Sequence, residues 1–166
     1  MKKLFLAAIL ASGILHVSAQ TKIAYVNTQE LMGIMPESQQ VEDQLKTYQA
    51  TLTQQGEDMA KEADDKAVQF VKDSASFNES MKEIKRNEIL DLYRKSQNWG
   101  QTMKGMLNQK AEELSAPVRT KVFDTIKAVA TENGYGYVFD TASNALLIMP
   151  PGDDLLPLIK KKLGIK

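Results

Sequence analysis

The chain of 166 residues contains no cysteine and a single histidine, His16. The absence of cysteine excludes disulfides, thiol nucleophiles and thiolate metal sites. His16 lies in an N-terminal segment that we expect to be removed, which leaves no imidazole for a Ser-His-Asp triad or an ordinary zinc site. Catalysis would then depend on carboxylates, and neighbouring residues on a helix, such as Asp64 and Asp65, point in different directions. We therefore expect neither an enzyme nor a bound cofactor or metal.

Long apolar runs are confined to the N-terminus. Lys2 and Lys3 precede an apolar run over residues 4–15, which is shorter than the ~20 residues that a membrane-spanning helix needs. Small residues then follow up to Ala19, as they do before a signal peptidase site. We expect residues 1–19 to be a signal peptide that is cleaved after Ala19. The alternative, an uncleaved membrane anchor, fits the short run less well.

Neither sign of charge is in excess, because 21 Lys and Arg residues balance 21 Asp and Glu residues. Loss of Lys2 and Lys3 with the signal leaves the mature chain slightly acidic, whereas a nucleic-acid-binding face would be basic. We expect no nucleic-acid partner. The three lysines at residues 160–162 are typical of a solvated helix end, so any membrane contact would be peripheral at most.

Short β-like segments lie near both ends of the mature chain, over residues 22–27, 135–140 and 145–149. A short helix capped by Asn27 follows the first strand, and an amphipathic helix closes the chain. Three short strands with two short helices form a very small core with open sheet edges. We therefore expect residues 20–35 and 132–166 to form a β-rich body that is completed by self-association.

Residues 36–131 are predicted to form two long helices joined by a turn near residues 73–78. Ser76 in that turn is the predicted N-cap of the second helix, with Glu79 as its partner in a capping box. The second helix is predicted to end at Asn133 and Gly134. Apolar or small side chains recur every three or four residues and form one narrow stripe, along which we expect the two helices to meet. In the first helix this stripe comprises Val41, Leu45, Tyr48, Leu52, Met59, Ala63, Ala67 and Phe70. In the second, where a few polar residues interrupt it, the stripe includes Met81, Ile84, Glu88, Leu92, Ser96, Trp99, Met103, Met106 and Leu114.

This stripe, called the seam below, predicts an antiparallel coiled-coil hairpin that projects from the body as an arm. The fold class is therefore α+β. Three glycines interrupt the arm, namely Gly56, Gly100 and Gly105, at a cost of ~1 kcal/mol each relative to alanine. Two interpretations stay open for them: they let the arm bend, or they let the helices pack closely.

The segments KIAYVNTQELM, IKAVATENGYGYVFD and DLLPLIKKKLG, with the charged helical hairpin between them, resemble the OmpH/Skp family of periplasmic chaperones. The resemblance covers essentially the whole mature chain. It implies a periplasmic homotrimer whose strands form a β-barrel-like core, with three arms around a cavity that holds unfolded outer-membrane β-barrel proteins without ATP. It implies no catalytic residues. The trimerising strands would contain Ile23, Tyr25, Val26, Tyr137, Val138, Phe139, Leu146, Leu147 and Ile148.

Members of that family are often strongly basic, but here residues 37–113 hold 15 acidic and 11 basic side chains. A basic client-binding or endotoxin-binding patch on the arm is therefore not expected. Adaptable methionines and aromatic side chains are the candidates for client contact, although packing within the seam is the alternative for each. These candidates are Phe70, Phe77, Met81, Trp99, Met103 and Met106.

A second function stays open from the sequence, an exported coiled-coil structural or adaptor protein that bridges folded partners in the cell envelope. Such a protein would bind at defined spots, whereas a chaperone would suppress the aggregation of an unfolded client. The two hypotheses therefore differ in the outcome of an aggregation assay.

Overall fold

A computed structural model describes residues 21–143 and 148–165, so the expected signal peptide lies outside the described residues. These residues form two strands and four α-helices, with short 3-10 turns between them. In chain order the elements are β1 (Lys22–Val26), α1 (Thr28–Ile34), α2 (Pro36–Asp73), α3 (Glu79–Glu132), β2 (Tyr135–Asp140) and α4 (Leu156–Leu163).

The predicted helical hairpin is confirmed. Helix α2 has 38 residues and helix α3 has 54, which correspond to lengths of about 57 and 80 Å. Pro36 opens α2, where its missing N–H leaves no hydrogen bond unmade. Helix α3 ends before Asn133 and Gly134, and the φ of +75° at Gly134 is a left-handed conformation that suits glycine.

The turn at the far end of the hairpin differs from the prediction in its cap. Asn78, not Ser76, caps α3, because its side-chain oxygen accepts a hydrogen bond from the Met81 N–H at 2.9 Å. Asn78 directly precedes the helix in an extended conformation, which is the position from which a cap reaches the free N–H groups. The Ser76 hydroxyl instead donates to the Asp73 carbonyl at 2.7 Å.

Strands β1 and β2 pair in parallel, as two strands separated by a long connection can. Ala24 and Val138 lie on the face that packs on the core, while two cross-strand pairs, Ile23 with Tyr137 and Tyr25 with Phe139, lie on the other face. The predicted third strand is only partly described. Leu146 and Leu147 lie outside the described residues, and Ile148 and Met149 are described without strand structure. A strand needs a neighbouring strand to pair with, and neither residue pairs with β1 or β2.

The main hydrophobic cluster lies at the end of the molecule that holds the strands. The last part of α3 packs against β1, α1 and α4, and the side chains that it buries there follow the spacing of one helix face. The buried core consists of Ala24, Val26, Leu31, Met35, Val118, Val122, Ile126, Val129, Ala130, Leu155 and Ile159.

Asp140 joins the end of β2 to the start of α1. Its carboxylate accepts hydrogen bonds from the Thr28 N–H at 3.1 Å, the Thr28 hydroxyl at 2.7 Å and the Ala142 N–H at 3.0 Å. Partial burial raises the pKa of Asp140, but the hydrogen bonds from Thr28 and Ala142 lower it by more, so the pKa lies below its usual value.

We expect Asp140→Asn to lower the free energy of unfolding by about 1 kcal/mol at neutral pH, because an amide accepts these bonds less well than a carboxylate. Since the folded-state pKa is depressed, the carboxylate's contribution is complete above the unfolded-state pKa and is lost as the pH falls through the folded-state pKa. The difference between variant and wild type should therefore shrink on acidification. Urea unfolding across that pH range measures it, with the exposed Asp124→Asn as control; a difference independent of pH would contradict the assignment.

Candidate functional site

Trp99 lies in the middle of the arm, where it contacts the Leu52 carbonyl and lies over Gly56 of α2. Its indole Nε1–H donates a hydrogen bond to the Leu52 carbonyl at 2.9 Å, and the Leu52 side chain is only 2 % exposed. A Cβ atom built on Gly56 would lie 2.6 Å from the indole nitrogen, so no larger residue fits there without a shift. The geometry at Gly56 is therefore that of close helix packing. A Cβ built on Gly100 or Gly105 would meet no atom within 4 Å.

Along most of the arm, the side chains that the seam predicts are buried or half-buried. Near the turn the prediction is wrong for α3: Met81 is 41 % exposed and Ile84 is 60 % exposed. Lys85 and Glu88 are half-buried there. An α-helix has 3.6 residues per turn, so positions chosen with a 3.5-residue repeat move gradually around the helix surface. Toward the turn, the residues that face the partner helix therefore differ from those of the predicted stripe.

The contact between α2 and α3 near the turn is partly polar. Lys66 and Lys85 both pair with Glu88, and the Tyr93 hydroxyl donates to Asp64 at 2.8 Å. The hydrogen bonds from Lys66 and Lys85 lower the pKa of Glu88, and the bond to Glu88 raises the pKa of Lys66. Near the turn, these polar side chains occupy the contact between α2 and α3 where the seam predicts apolar side chains.

Two candidate aromatic residues lie beside this polar contact. The rings of Phe70 and Phe77 are half-buried with centroids 6.4 Å apart, and the Arg86 guanidinium lies 5.7 Å from the Phe70 ring centroid. A cavity of about 110 Å³ opens between the helices at this place. Its lining consists of Lys66, Gln69, Phe70, Asp73, Phe77, Lys85, Glu88 and Ile89.

Between residues 37 and 122, the exposed large apolar side chains of α2 and α3 all lie near the turn, and residues 37–67 and 91–122 carry none; Phe123, at the opposite end of α3, is 65 % exposed. Met81 is the one sequence-predicted candidate among them; Met103 and Met106 are half-buried. The sequence did not predict the other four as candidates. It did carry a signal for two of them, because a valine that directly follows a seam position, as after Ala67 and Phe70, points away from the partner helix. The set, called the distal apolar residues below, comprises Val68, Val71, Met81, Ile84 and Leu90.

The outward face of the sheet is the second exposed apolar surface. Ile23, Tyr137 and Phe139 are 51, 62 and 45 % exposed, and Tyr25 is half-buried beside them. This set of four is called the sheet face below. Ile148 nearby in sequence is 86 % exposed.

The remaining strand residues point the other way. Val26 is 1 % exposed and Val138 packs against the same core, so neither side chain faces outward. Within the described residues the far edge of β2 has no neighbouring strand. An apolar face beside an open edge is a surface that a further strand or chain can cover.

The part of the chain that the structure describes holds no cluster of three or more potential metal ligands. Among its helices, none combines the length and the apolar character needed to cross a membrane.

Comparison with known proteins gives one family and one fold. The family model described as "Outer membrane protein (OmpH-like)" matches residues 22–163. A crystal structure of a protein described as an OmpH-like outer membrane chaperone, from Caulobacter crescentus CB15, has a TM-score of 0.68. The match covers 87 % of this chain and 85 % of that one at 14 % identity, which shows a shared fold alone. No curated protein sequence matches the chain.

Proposed function

The chain belongs to the OmpH-like family of outer membrane proteins, and on this premise we propose that it is a periplasmic chaperone that holds unfolded outer-membrane β-barrel proteins without ATP. The observation that carries the proposal is the separation of two exposed apolar surfaces. The sheet face lies on the body, and the distal apolar residues lie near the turn of the arm. The first surface suits assembly and the second suits client contact.

Assembly follows from the size of the body. A two-stranded sheet is marginal by itself, and the sheet face with the open edge of β2 would gain buried apolar area from neighbouring copies. The family resemblance suggests three copies with a barrel-like arrangement of strands. Arms of about 57 Å or more would then extend from one body and enclose a space between them.

Client contact would be weak at each site and spread over many sites. An unfolded chain has no fixed shape, so binding depends on several exchangeable apolar contacts from several arms. Met81 and the other distal apolar residues supply such contacts, and the Phe70 and Phe77 pair lies in the same region near the turn. Because the protein would bind the unfolded client alone, mass action lowers the free concentration of that client and slows its aggregation without ATP.

Turbidity of an unfolded β-barrel client tests the function. A urea-denatured outer-membrane β-barrel protein is diluted into buffer without nucleotide, with or without the mature chain. We expect suppression of turbidity to be complete near one assembly per client. A structural or adaptor protein would leave the turbidity unchanged at every ratio, and that result would reject the proposal.

The distal apolar residues give a residue-level prediction. We expect the double variant Val71→Ser with Ile84→Ser to bind client about tenfold more weakly, because it removes two exposed apolar side chains from each arm. Both side chains are exposed at 74 and 60 %, so the fold should be unaffected. Fluorescence titration with a dye-labelled unfolded client measures the affinity.

The matched control is Ala50→Ser with Ala116→Ser, which changes two exposed positions in the arm away from the turn. It should bind client as the wild type does. Equal affinities for the control and the Val71/Ile84 variant would show that the distal apolar residues do not contact the client.

A further inference from the structure

The distal segment of the arm, defined as residues 64–95, contains no buried residue. In α2 the buried residues are Leu52 and Ala63, and the buried residues of α3 begin at Val118 and continue toward the body. Beyond Ala63 the two helices therefore meet through half-buried and exposed side chains only. Segments with so few buried contacts open at a lower free energy than the rest of a protein.

Polar contacts hold a large part of this segment together. Lys66 of α2 pairs with Glu88 of α3, and the two side chains are 35 and 38 % exposed. Lys85 also reaches Glu88 at 3.2 Å from its own helix. Ion pairs with this degree of exposure are weak and are screened by salt. The closed arrangement of the distal segment should therefore depend on ionic strength.

The contact between Trp99 and α2 sets the limit of the weak region. The indole bonds to the Leu52 carbonyl and occupies the space above Gly56. Leu52 is buried at this level of the arm. A separation of the helices that starts at the turn would therefore stop near Trp99.

We propose that the distal segment opens and closes as a local unit, and that its open form makes the more extensive contact with client. Opening would expose Phe70, Phe77 and Ile89, which are half-buried around the cavity in the closed form. These side chains would join Val71 and the other distal apolar residues in one larger apolar surface. The opening itself is independent of the proposed function, whereas its use for client binding rests on that function.

Hydrogen exchange of the mature chain tests the opening. A helix that loses its partner is marginal alone, so opening appears as exchange of its amides. We expect amides in residues 66–92 to exchange at least tenfold faster than those in residues 42–56 and 99–114. Raising the salt from about 50 to about 500 mM should accelerate the distal amides and leave the others unchanged. Uniform exchange that does not respond to salt would overturn the proposal.

Two variants link the opening to client binding. Lys66→Met with Glu88→Leu replaces the ion pair across the helices by an apolar pair, which is often neutral or stabilising. It should slow distal exchange at least threefold and weaken client binding by a similar factor. Glu88→Gln weakens the ion pair and should change both quantities in the opposite direction. Circular dichroism confirms that each variant is folded before the comparison.

The control is Lys46→Met with Glu42→Leu, which removes an ion pair within α2 that does not join the helices. Its distal exchange and client affinity should equal those of the wild type. If the Lys66/Glu88 variant slows exchange while client affinity stays unchanged, opening has no part in binding and the proposal fails. If the wild type does not hold client, the proposed function fails, while exchange alone still decides whether the segment opens.

Discussion

Phe139→Glu is expected to convert the proposed assembly into single chains. Phe139 pairs with Tyr25 on the sheet face and is 45 % exposed in the single chain, so the wild-type side chain is available to a neighbouring copy. A carboxylate placed in such an interface would lose its water without gaining a partner, which costs several kcal/mol for each copy. Since each copy carries the change, the effect is multiplied in a symmetric assembly.

The mass in solution, measured by light scattering during size-exclusion chromatography, should fall to that of one chain. Client holding should fall more than tenfold, because an isolated arm loses the benefit of several linked contacts. The control Gln29→Glu adds the same charge at an exposed position in the first turn of α1 and should keep the wild-type mass. A Phe139→Glu protein with the wild-type mass would show that the sheet face does not hold the copies together.

Gly56→Ala is expected to destabilise the arm by about 1–3 kcal/mol, although alanine is normally the better helix residue. The new Cβ would lie 2.6 Å from the indole nitrogen of Trp99 and force the ring away from α2. The hydrogen bond from the indole to the Leu52 carbonyl would then be lost, and buried Leu52 would become accessible to water.

Gly100→Ala is the matched control, because its Cβ would meet no atom within 4 Å. It should stabilise the arm by roughly 0.5–1 kcal/mol, as expected for the same change in an open helix interior. Trp99 is the single tryptophan of the chain, so its fluorescence during urea unfolding reports on this contact directly. If Gly56→Ala were as stable as Gly100→Ala, the packing of Trp99 over Gly56 would be contradicted.

These two glycines illustrate what the sequence could predict. The spacing of apolar residues predicted both long helices, because a narrow stripe with 3-to-4-residue spacing needs a partner helix along its whole length. The sequence could not separate Gly56 from Gly100, since the difference lies in Trp99, which is far from Gly56 along the chain. Only the register of the hairpin brings the two together.

The candidate site was predicted less completely for a related reason. Met81 was identified as a candidate from its chemistry, but Ile84 was assigned to the seam and is exposed. Near the turn, charged side chains such as Lys66 and Glu88 occupy the contact between the helices. The apolar pattern alone does not show that an ion pair occupies the contact between the two helices near the turn. It therefore assigns to that contact apolar residues, such as Ile84, that are in fact exposed.

The most direct test of the account is native mass spectrometry of the mature chain mixed with an unfolded outer-membrane β-barrel protein in nucleotide-free buffer. The central claim is that several copies, joined at their sheet faces, hold one client between their arms. It predicts a dominant complex of three chains with one client and no complex of a single chain with client. A spectrum with single chains alone, or with one chain bound to one client, would contradict it.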